Sequence, residues 1–309
     1  MTTLGQALQD YLRLRRQMGY YLERDQPQLE AFVAYCVRAG VEDRIITGLA
    51  VQWAKIPATA HPVIWRKRLS MVRQFARYVA TIDPGSEVPP QDLLPASQPR
   101  IAPYIYSPHE IEALIAAARS LRRPLAAAMF ATVIGLLAST GIRLREALAL
   151  DRLDVDLCEG VLEIRACTNH RARQVPLHPS TTEALGRYLS VRDGRYPYVL
   201  TPSFFVTSWG RRPTKTVFAQ TFRTLIAQAG LEGRGTRVRP RPHDLRHTFA
   251  VHTLIRWYQC GEDIDPKMPA LSTYLGHVSP ESTYWYLQSV PELQSQVSGR
   301  LERLGLVLS

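Results

Sequence analysis

Cysteine and long apolar segments are scarce in this sequence. The four cysteines are scattered and form no Cys-x-x-Cys pair, lying at Cys36, Cys158, Cys167 and Cys260. This pattern excludes a zinc ribbon, a dithiol redox motif and a disulfide scaffold from the expected sites. The longest apolar run, residues 125–138, has 14 residues and includes Thr132, so it is too short to span a bilayer. The first residues also lack the pattern of a signal peptide, and we expect a cytoplasmic protein with no membrane partner.

Lysine is also rare, and arginine carries almost all of the positive charge. The chain has 34 arginines, 4 lysines and 27 acidic residues, which gives a formal net charge of +11. The excess is spread along the chain, with +5 over residues 1–83 and +6 over residues 84–309. A basic surface attracts polyanions, and the planar guanidinium group binds phosphate through paired N–H···O bonds. A soluble protein with an arginine-biased composition would show the same excess, so charge alone identifies no ligand.

Hydrophobic periodicity predicts a small helical domain over residues 1–83. Apolar residues recur at three- and four-residue steps from Leu4 to Gly40, with a break expected before Pro27, and again from Trp65 to Ala80. The second stretch combines an apolar stripe with a basic flank, as a helix facing a nucleic acid requires. A charged face that is merely solvated is the alternative interpretation. The DNA-binding candidates on this helix are Arg66, Lys67, Arg73 and Arg77.

Prolines divide the chain after this first domain. Residues 84–108 contain seven prolines, which prevents a continuous helix and predicts an extended linker over residues 84–103. A capping box at Ser107–Glu110 then begins a second domain over residues 104–309. Helices are expected at 109–120, 124–140, 179–193, 214–229, 243–259 and 280–304, with two short strands at 161–165 and 174–177. The predicted fold class is mainly α with a small β-sheet.

Four short motifs in the second domain combine arginine, histidine and tyrosine. They are Thr140-Gly-Ile-Arg-Leu-Arg-Glu146, Arg241-Pro-His-Asp-Leu-Arg-His-Thr248, Leu275-Gly-His277 and Thr283-Tyr-Trp-Tyr286. Each is weak alone, because such an arginine often pairs with a carboxylate and His-x-x-x-His on a helix can be core packing. Their order is more informative: an arginine, then His-x-x-Arg about a hundred residues later, then Leu-Gly-His, then a tyrosine nine residues on.

This order resembles that of the tyrosine recombinases, the phage-integrase-like enzymes, over essentially the whole chain. The resemblance implies a helical, SAM-like core-binding domain at 1–83, a linker at 84–103 and a catalytic domain at 104–309. The phrases Val175-Pro-Leu-His-Pro-Ser180 and Ser272-Thr-Tyr-Leu-Gly-His277 are most similar to integrases and transposases of mobile elements. Such enzymes cut and rejoin DNA through a tyrosine linked to the 3′ phosphate, in integration, excision or transposition.

The resemblance also implies a role for each motif residue. Tyr286 matches the nucleophile by its spacing from His277, whereas Tyr274 and Tyr284 are expected to pack. Arg143 and Arg246 match the two arginines that clamp the scissile phosphate, and a bidentate fork suits that task. His243 and His277 match the two histidines that donate hydrogen bonds to the phosphate and assist proton transfer. Glu146 and His247 match residues that orient the arginines and histidines. Guanidinium groups neutralise the phosphate, so neither a metal nor a cofactor is expected.

One family residue is missing from the sequence. In the family, a lysine on the hairpin between the second and third strands protonates the leaving 5′ oxygen, and alignment places this position at Thr168. Residues 153–177 contain no lysine, and the nearby Arg171 and Arg173 are poor proton donors. Another group or water then serves as the acid, or cleavage is slow, or the chain is a DNA-binding subunit. Four further DNA-binding candidates are Arg145, Arg171, Arg173 and Lys215.

The sequence is compatible with three functions. The first is an active recombinase that grips duplex DNA as a self-associating assembly, expected to be a tetrameric synapse in the nucleoid. The second, motivated by the missing lysine, is a catalytically weak or inactive DNA-binding subunit among partner recombinases. The third is a metal hydrolase that uses His243, His247 and His277, although Asp244 does not reproduce the His-Glu-x-x-His pattern and Arg246 would repel a cation.

Overall fold

The structure, a computed structural model, divides into two units by its internal contacts, Met1–Arg100 and Ile101–Ser309. It describes residues 3–20, 22–94, 102–165, 172–198, 201–231, 239–277 and 281–289. The predicted fold class is confirmed: helices dominate, and one three-stranded sheet lies in the second unit. Within the described residues, no helix has both the length and the apolarity that a membrane crossing requires.

Four helices form the first unit. They are α1 (Leu4–Gln17), α2 (Asp25–Arg38), α3 (Thr47–Lys55) and α4 (Pro62–Ile82). The break predicted before Pro27 lies between α1 and α2, and Pro27 itself fits in the first turn of α2, where its missing N–H costs nothing. Phe32 and Trp53 pack edge to face in a core shared by all four helices. Periodicity did not predict α3 because this helix has only nine residues.

The basic flank of α4 corrects one DNA-binding candidate. Lys67 and Arg77 are exposed and Arg66 is partly exposed, but Arg73 is 7% exposed. The guanidinium of Arg73 donates to the carbonyl oxygens of Pro89 (2.6 Å) and Pro90 (2.7 Å). Proline has no N–H, and the chain around it forms no ladder that would occupy these carbonyls. Arg73 therefore holds the proline-rich segment against its own unit instead of reaching DNA.

The first part of the predicted linker is packed, which differs from an extended segment. Ser86 Oγ accepts a hydrogen bond from the backbone N–H of Ile45 (3.1 Å), and Glu87 N–H donates to the Ile45 carbonyl (2.8 Å). Leu94 is buried in the same core. The prolines exclude a helix here, as predicted, but they leave carbonyls and side chains free to dock. Residues 95–101 of the predicted linker lie outside the described residues.

Eight helices and a small antiparallel sheet form the described part of the second unit. The elements are α5 (Pro108–Arg119), α6 (Pro124–Thr140), α7 (Leu144–Ala149), β1 (Val155–Asp156), β2 (Val161–Ile164), β3 (Arg173–Pro176), α8 (Pro179–Arg195), α9 (Lys215–Gln228), α10 (Asp244–Gln259), α11 (Met268–Leu275) and α12 (Glu281–Ser289). The sequence did not predict β1, α7 and α11, which are too short for a periodic signal. The predicted final helix, 280–304, is described only as far as α12.

The sheet has the order β1-β2-β3 with antiparallel neighbours. Leu162 of β2 pairs with Val175 of β3, and both side chains are buried in the core. The two predicted strands are confirmed within a residue of their ends. Residues 166–171, which contain Thr168 and the DNA-binding candidate Arg171, lie between them and outside the described part of the chain.

Helix α6 organises the second unit and ends where the candidate site begins. It is apolar almost all round, since it packs against α5, α8 and α10. It ends at Gly141, whose φ of +63° is a left-handed conformation that suits glycine. A Cβ at Gly141 would lie 2.5 Å from Cδ1 of Phe249 and 3.0 Å from Cδ2 of Leu275. This turn therefore has room for no other residue and fixes the direction of the chain into Arg143.

We predict that Gly141→Ala lowers the free energy of unfolding by about 2–4 kcal/mol, because it adds backbone strain to overpacking. Gly135→Ala is the matched control. Gly135 lies inside α6, and a Cβ there meets only Cδ1 of Ile115 at 3.9 Å, so the better helix propensity of alanine should stabilise by about 0.5–1 kcal/mol. Thermal melting of the two variants measures both effects. Equal melting temperatures for the two variants would contradict the packing described at Gly141.

Candidate active site

Three arginines from three elements converge on the last carbonyl groups of α11. Arg173 Nε donates to Tyr274 O (2.8 Å), Arg246 Nη2 to Leu275 O (2.7 Å) and Arg143 Nη2 to Gly276 O (2.8 Å). The last carbonyls of a helix lack partners within the helix and carry the negative end of its dipole. The end of α11 therefore gathers three guanidinium groups immediately before His277.

Protein acceptors occupy only some of the N–H donors of Arg143 and Arg246. Arg143 Nη1 also donates to Glu146 Oε1 (3.0 Å) and to Leu275 O (3.4 Å), and Arg246 Nη1 donates to Gly141 O (2.9 Å). An arginine side chain has five N–H bonds. Among the described residues, acceptors take three of those on Arg143 and two of those on Arg246. The remaining donors are available to an oxyanion that enters between the two side chains.

Glu146 is the counter-charge of this cluster and corrects the interpretation of Arg173. Arg173 Nη1 and Nη2 donate to the two carboxylate oxygens of Glu146 at 3.0 and 2.9 Å, and the Arg173 side chain is only 8% exposed. Arg173 was a DNA-binding candidate, but its Nε, Nη1 and Nη2 all donate to acceptors inside the protein. It ties β3 to α7 and α11, because its partners lie on those two helices.

The pKa of Glu146 shows how strongly the arginines hold it. Burial alone would raise this pKa, but the hydrogen bonds from Arg173 and from the Arg143 backbone N–H, together with both positive charges, lower it to about 2. Glu146 is therefore ionised throughout the neutral range. Three guanidinium groups against one carboxylate leave an excess of positive charge, which favours an anionic ligand.

The three histidines of the motifs surround the same cluster in an uncharged form. Loss of water around the ring and the charges of Arg246 and Arg143 lower the pKa of His277 to about 3. Partial loss of water and the same two charges also lower the pKa of His243 below its usual value, although this side chain remains exposed. His277 Nδ1 lies 2.7 Å from Thr283 Oγ1, a partner that the sequence analysis did not identify. Thr283 is buried on α12 and opens the motif that ends with the predicted tyrosine, so its position in the motif was the available signal.

Tyr286 lies in this site with its hydroxyl on a histidine. It is 2% exposed on α12, and its Oη lies 2.8 Å from Nδ1 of His247. Burial raises the pKa of Tyr286 to about 12, against the charges of Arg246 and Arg143, which lower it. The resemblance implies that His247 orients the arginines and the other histidines. The structure instead places it against the hydroxyl of Tyr286.

The structure thus brings together the five residues predicted to carry chemistry: Arg143, His243, Arg246, His277 and Tyr286. The other two tyrosines of the motifs lie elsewhere, since Tyr284 is 37% exposed and Tyr274 stacks on Phe249. Of the remaining DNA-binding candidates, Arg145 and Lys215 are exposed, and the charge of Lys215 contributes to the lowered pKa of His243. In the described ranges, no group of three histidine, cysteine or carboxylate side chains is arranged to hold a metal ion.

Comparison with known proteins gives a consistent result. The model of a family described as the phage integrase family matches residues 105–292. A Sinorhizobium fredii protein named as an integrase/recombinase, y4rB, is 40% identical over 98% of each chain, and a second, y4rE, is 35% identical over 96% of this chain and 95% of its own. The tyrosine recombinase XerC of Chlamydia caviae is 26% identical over 75% of this chain and 69% of its own.

Solved structures share the fold. The Tn1549 transposon integrase in complex with a circular intermediate DNA matches with a TM-score of 0.66 and 16% identity, over 98% of this chain and 100% of that one. The XerH site-specific recombinase bound to a palindromic difH substrate matches with a TM-score of 0.64 and 17% identity, over 89% of this chain and 78% of that one. At these identities the likeness concerns the fold.

We predict that Glu146→Gln destabilises the protein by about 2–4 kcal/mol at pH 7, because it leaves buried guanidinium groups without their counter-charge. The pKa of Glu146 is lower in the folded chain than in the unfolded chain. Ionised Glu146 therefore stabilises the fold at pH values above its unfolded pKa, and this stabilisation is lost as the pH falls through the folded pKa. The difference in free energy of unfolding between wild type and variant should decrease below about pH 4.5 and disappear near pH 2. Urea unfolding across this range measures the difference. A difference that does not change with pH contradicts the ionised state of Glu146.

Proposed function

Because this chain belongs to the phage integrase family of tyrosine recombinases, which cleave and rejoin DNA, we propose that it acts through a covalent link between Tyr286 and the 3′ phosphate of the cut strand. The observation that carries this proposal is the position of Tyr286. Its hydroxyl lies among arginines that still have free N–H donors in the described structure. A nucleophile and an oxyanion site in one place are what phosphoryl transfer requires.

The reaction follows from these parts. The phenolic oxygen of Tyr286 attacks the scissile phosphorus in line, the bond from phosphorus to the 5′ oxygen breaks, and a 5′ hydroxyl is released. Arg143 and Arg246 donate to the non-bridging oxygens as charge builds on them, and His243 and His277 add neutral donors. The new phosphotyrosyl bond retains the energy of the broken phosphodiester. A 5′ hydroxyl from another duplex can then attack it and restore a continuous strand.

The absence of the family's general-acid lysine, which would protonate the 5′ oxygen, supports a second candidate function. Residues 153–177 contain no lysine, although the family resemblance places one on this hairpin. Lys215 at the start of α9 is near enough for its charge to act on His243, and water is the other available donor. If neither serves, the chain is a catalytically weak or inactive DNA-binding subunit that depends on partner recombinases.

The biological context is part of the same proposal. Relatives named as integrase/recombinase and a fold shared with a transposon integrase support integration, excision or transposition of a mobile element. We expect the partner to be double-stranded DNA of the nucleoid and the acting species to be a homo-oligomer, a tetramer around two duplexes. The domain assignment stays a prediction, with a core-binding domain before the proline-rich segment and the catalytic domain after it.

Exposed cations on α4 provide a test of DNA binding by the first unit. We predict that Lys67→Ala and Arg77→Ala each weaken binding to duplex DNA and each reduce the slope of log K against log salt by about 1, because a phosphate contact that releases counterions is lost. Arg13→Ala is the charge-matched control on α1, where Arg13 already pairs with Asp10. Fluorescence anisotropy at several salt concentrations gives these slopes. Equal losses in all three variants would show a general charge effect without an α4 contact.

The nucleophile is tested by covalent capture on nicked suicide duplexes taken from the DNA that flanks the gene. We predict a denaturation-resistant, protease-sensitive adduct with wild type and with Tyr284→Phe, and none with Tyr286→Phe. The reason is that, of these two tyrosines, Tyr286 has its hydroxyl at the arginine cluster. Tyr284 is a matched control two residues away on the same helix. Normal binding by all three proteins with no adduct from any of them favours the non-catalytic subunit, and Thr168→Lys is then the next variant.

A further inference from the structure

The hydrogen bond between His247 and Tyr286 carries an inference that rests on the proposed role of Tyr286 as the nucleophile. His247 Nδ1 lies 2.8 Å from the Tyr286 oxygen, within the range at which a proton can pass directly. His243 and His277 have other neighbours: His243 contacts the edge of His247, with ring centroids 4.7 Å apart, and His277 Nδ1 binds Thr283. Among the described residues, His247 is the histidine that touches the reacting oxygen.

The local fold aims this contact. His247 follows Arg246 on α10, and α10 packs against α12, which carries Tyr286. The rings of His247 and Tyr286 meet at an angle of 64° with centroids 5.5 Å apart, so the imidazole presents its nitrogen to the hydroxyl instead of stacking on the phenol. The Arg246 guanidinium, one residue earlier, binds the end of α11. One turn of α10 thus supports both the phosphate clamp and the group on the nucleophile.

We propose that His247 is the proton acceptor for Tyr286, taking the phenolic proton on Nδ1 as the oxygen attacks phosphorus. The step balances as follows: the O–H bond of Tyr286 breaks, an O–P bond forms, the P–O5′ bond breaks, and the 5′ oxygen takes a proton from water or a protein donor. On rejoining, the proton on Nδ1 returns to the departing Tyr286 oxygen. The acceptor must be the neutral imidazole with its hydrogen on Nε2.

The electrostatic surroundings support this state and explain why a base is needed. With a pKa near 12, about one Tyr286 in 10⁵ is ionised at pH 7. Burial, with the charges of Arg246 and Arg241, lowers the pKa of His247 to about 3, so its lone pair is free at neutral pH. A DNA phosphate that enters the cluster adds negative charge and raises the affinity of His247 for a proton. DNA binding therefore makes His247 a stronger base when the base is required.

The test compares wild type with His247→Asn, because asparagine places an oxygen near the position of Nδ1 and keeps the hydrogen bond but cannot take up the proton. We expect adduct formation on the suicide duplex to slow by about 10²- to 10⁴-fold, with unchanged DNA affinity and melting temperature. His252→Asn on the same helix is the control and should cleave at the wild-type rate. A rate for His247→Asn within about threefold of wild type overturns the proposal.

Two chemical substitutions separate a base on the nucleophile from an acid on the leaving group. A fluorinated tyrosine at position 286 has a more acidic phenol. In the His247→Asn background it should raise the rate of adduct formation by at least about tenfold. A duplex with a 5′-bridging phosphorothiolate, whose sulfur leaves without a proton, should not restore it. Rescue by the phosphorothiolate alone would place His247 on the leaving-group side and overturn the assignment. If wild type itself forms no adduct on either duplex, the proposed function fails, and this inference fails with it.

Discussion

The end of α11 is the constraint on which the candidate site depends. Its last carbonyls have no partners inside the helix, and guanidinium groups from β3, α7 and α10 fill that need at 2.7–2.8 Å. Because Gly276 ends the helix in a left-handed conformation, with Arg173 packed where a side chain would lie, the chain turns directly into His277. A local feature of backbone hydrogen bonding therefore sets the positions of residues that are far apart in sequence.

The same arrangement limits how the positive charge can be held. Three guanidinium groups close together repel one another, and burial removes the water that would screen them. Glu146 offsets part of this repulsion, because it accepts from Arg173 with both oxygens and from Arg143 with its side-chain and backbone N–H groups. The carboxylate neutralises part of the cluster, and some N–H groups of Arg143 and Arg246 have no acceptor among the described residues. In the proposed function, an oxyanion from DNA supplies the remaining negative charge.

Much of the fold, and the set of residues that meet in the candidate site, could be predicted from the sequence for identifiable reasons. Long periodic segments such as α6 and α10 were placed within a residue or two, and ordered motifs identified Arg143, Arg246 and Tyr286 before any contact was known. The partners of individual side chains could not be predicted. Arg73 and Arg173 looked like surface cations, but whether an arginine meets a phosphate or a carbonyl depends on tertiary packing. Short elements such as α7 and α11 carry too few residues for a periodic signal.

The histidine on Tyr286 completes this physical picture. Without DNA, burial and the unneutralised arginines keep the histidines uncharged, and the tyrosine is buried in its protonated form, so neither proton transfer nor attack is favourable. A phosphate bound to Arg143 and Arg246 cancels positive charge, which raises the affinity of His247 for a proton while the same arginines stabilise the charge that develops on the phosphate oxygens. In the proposed mechanism, the substrate itself therefore supplies the charge that makes Tyr286 reactive. Such a site spends little time with an ionised tyrosine in the absence of DNA, and we propose that neutral His247 activates the nucleophile once a phosphate is in place.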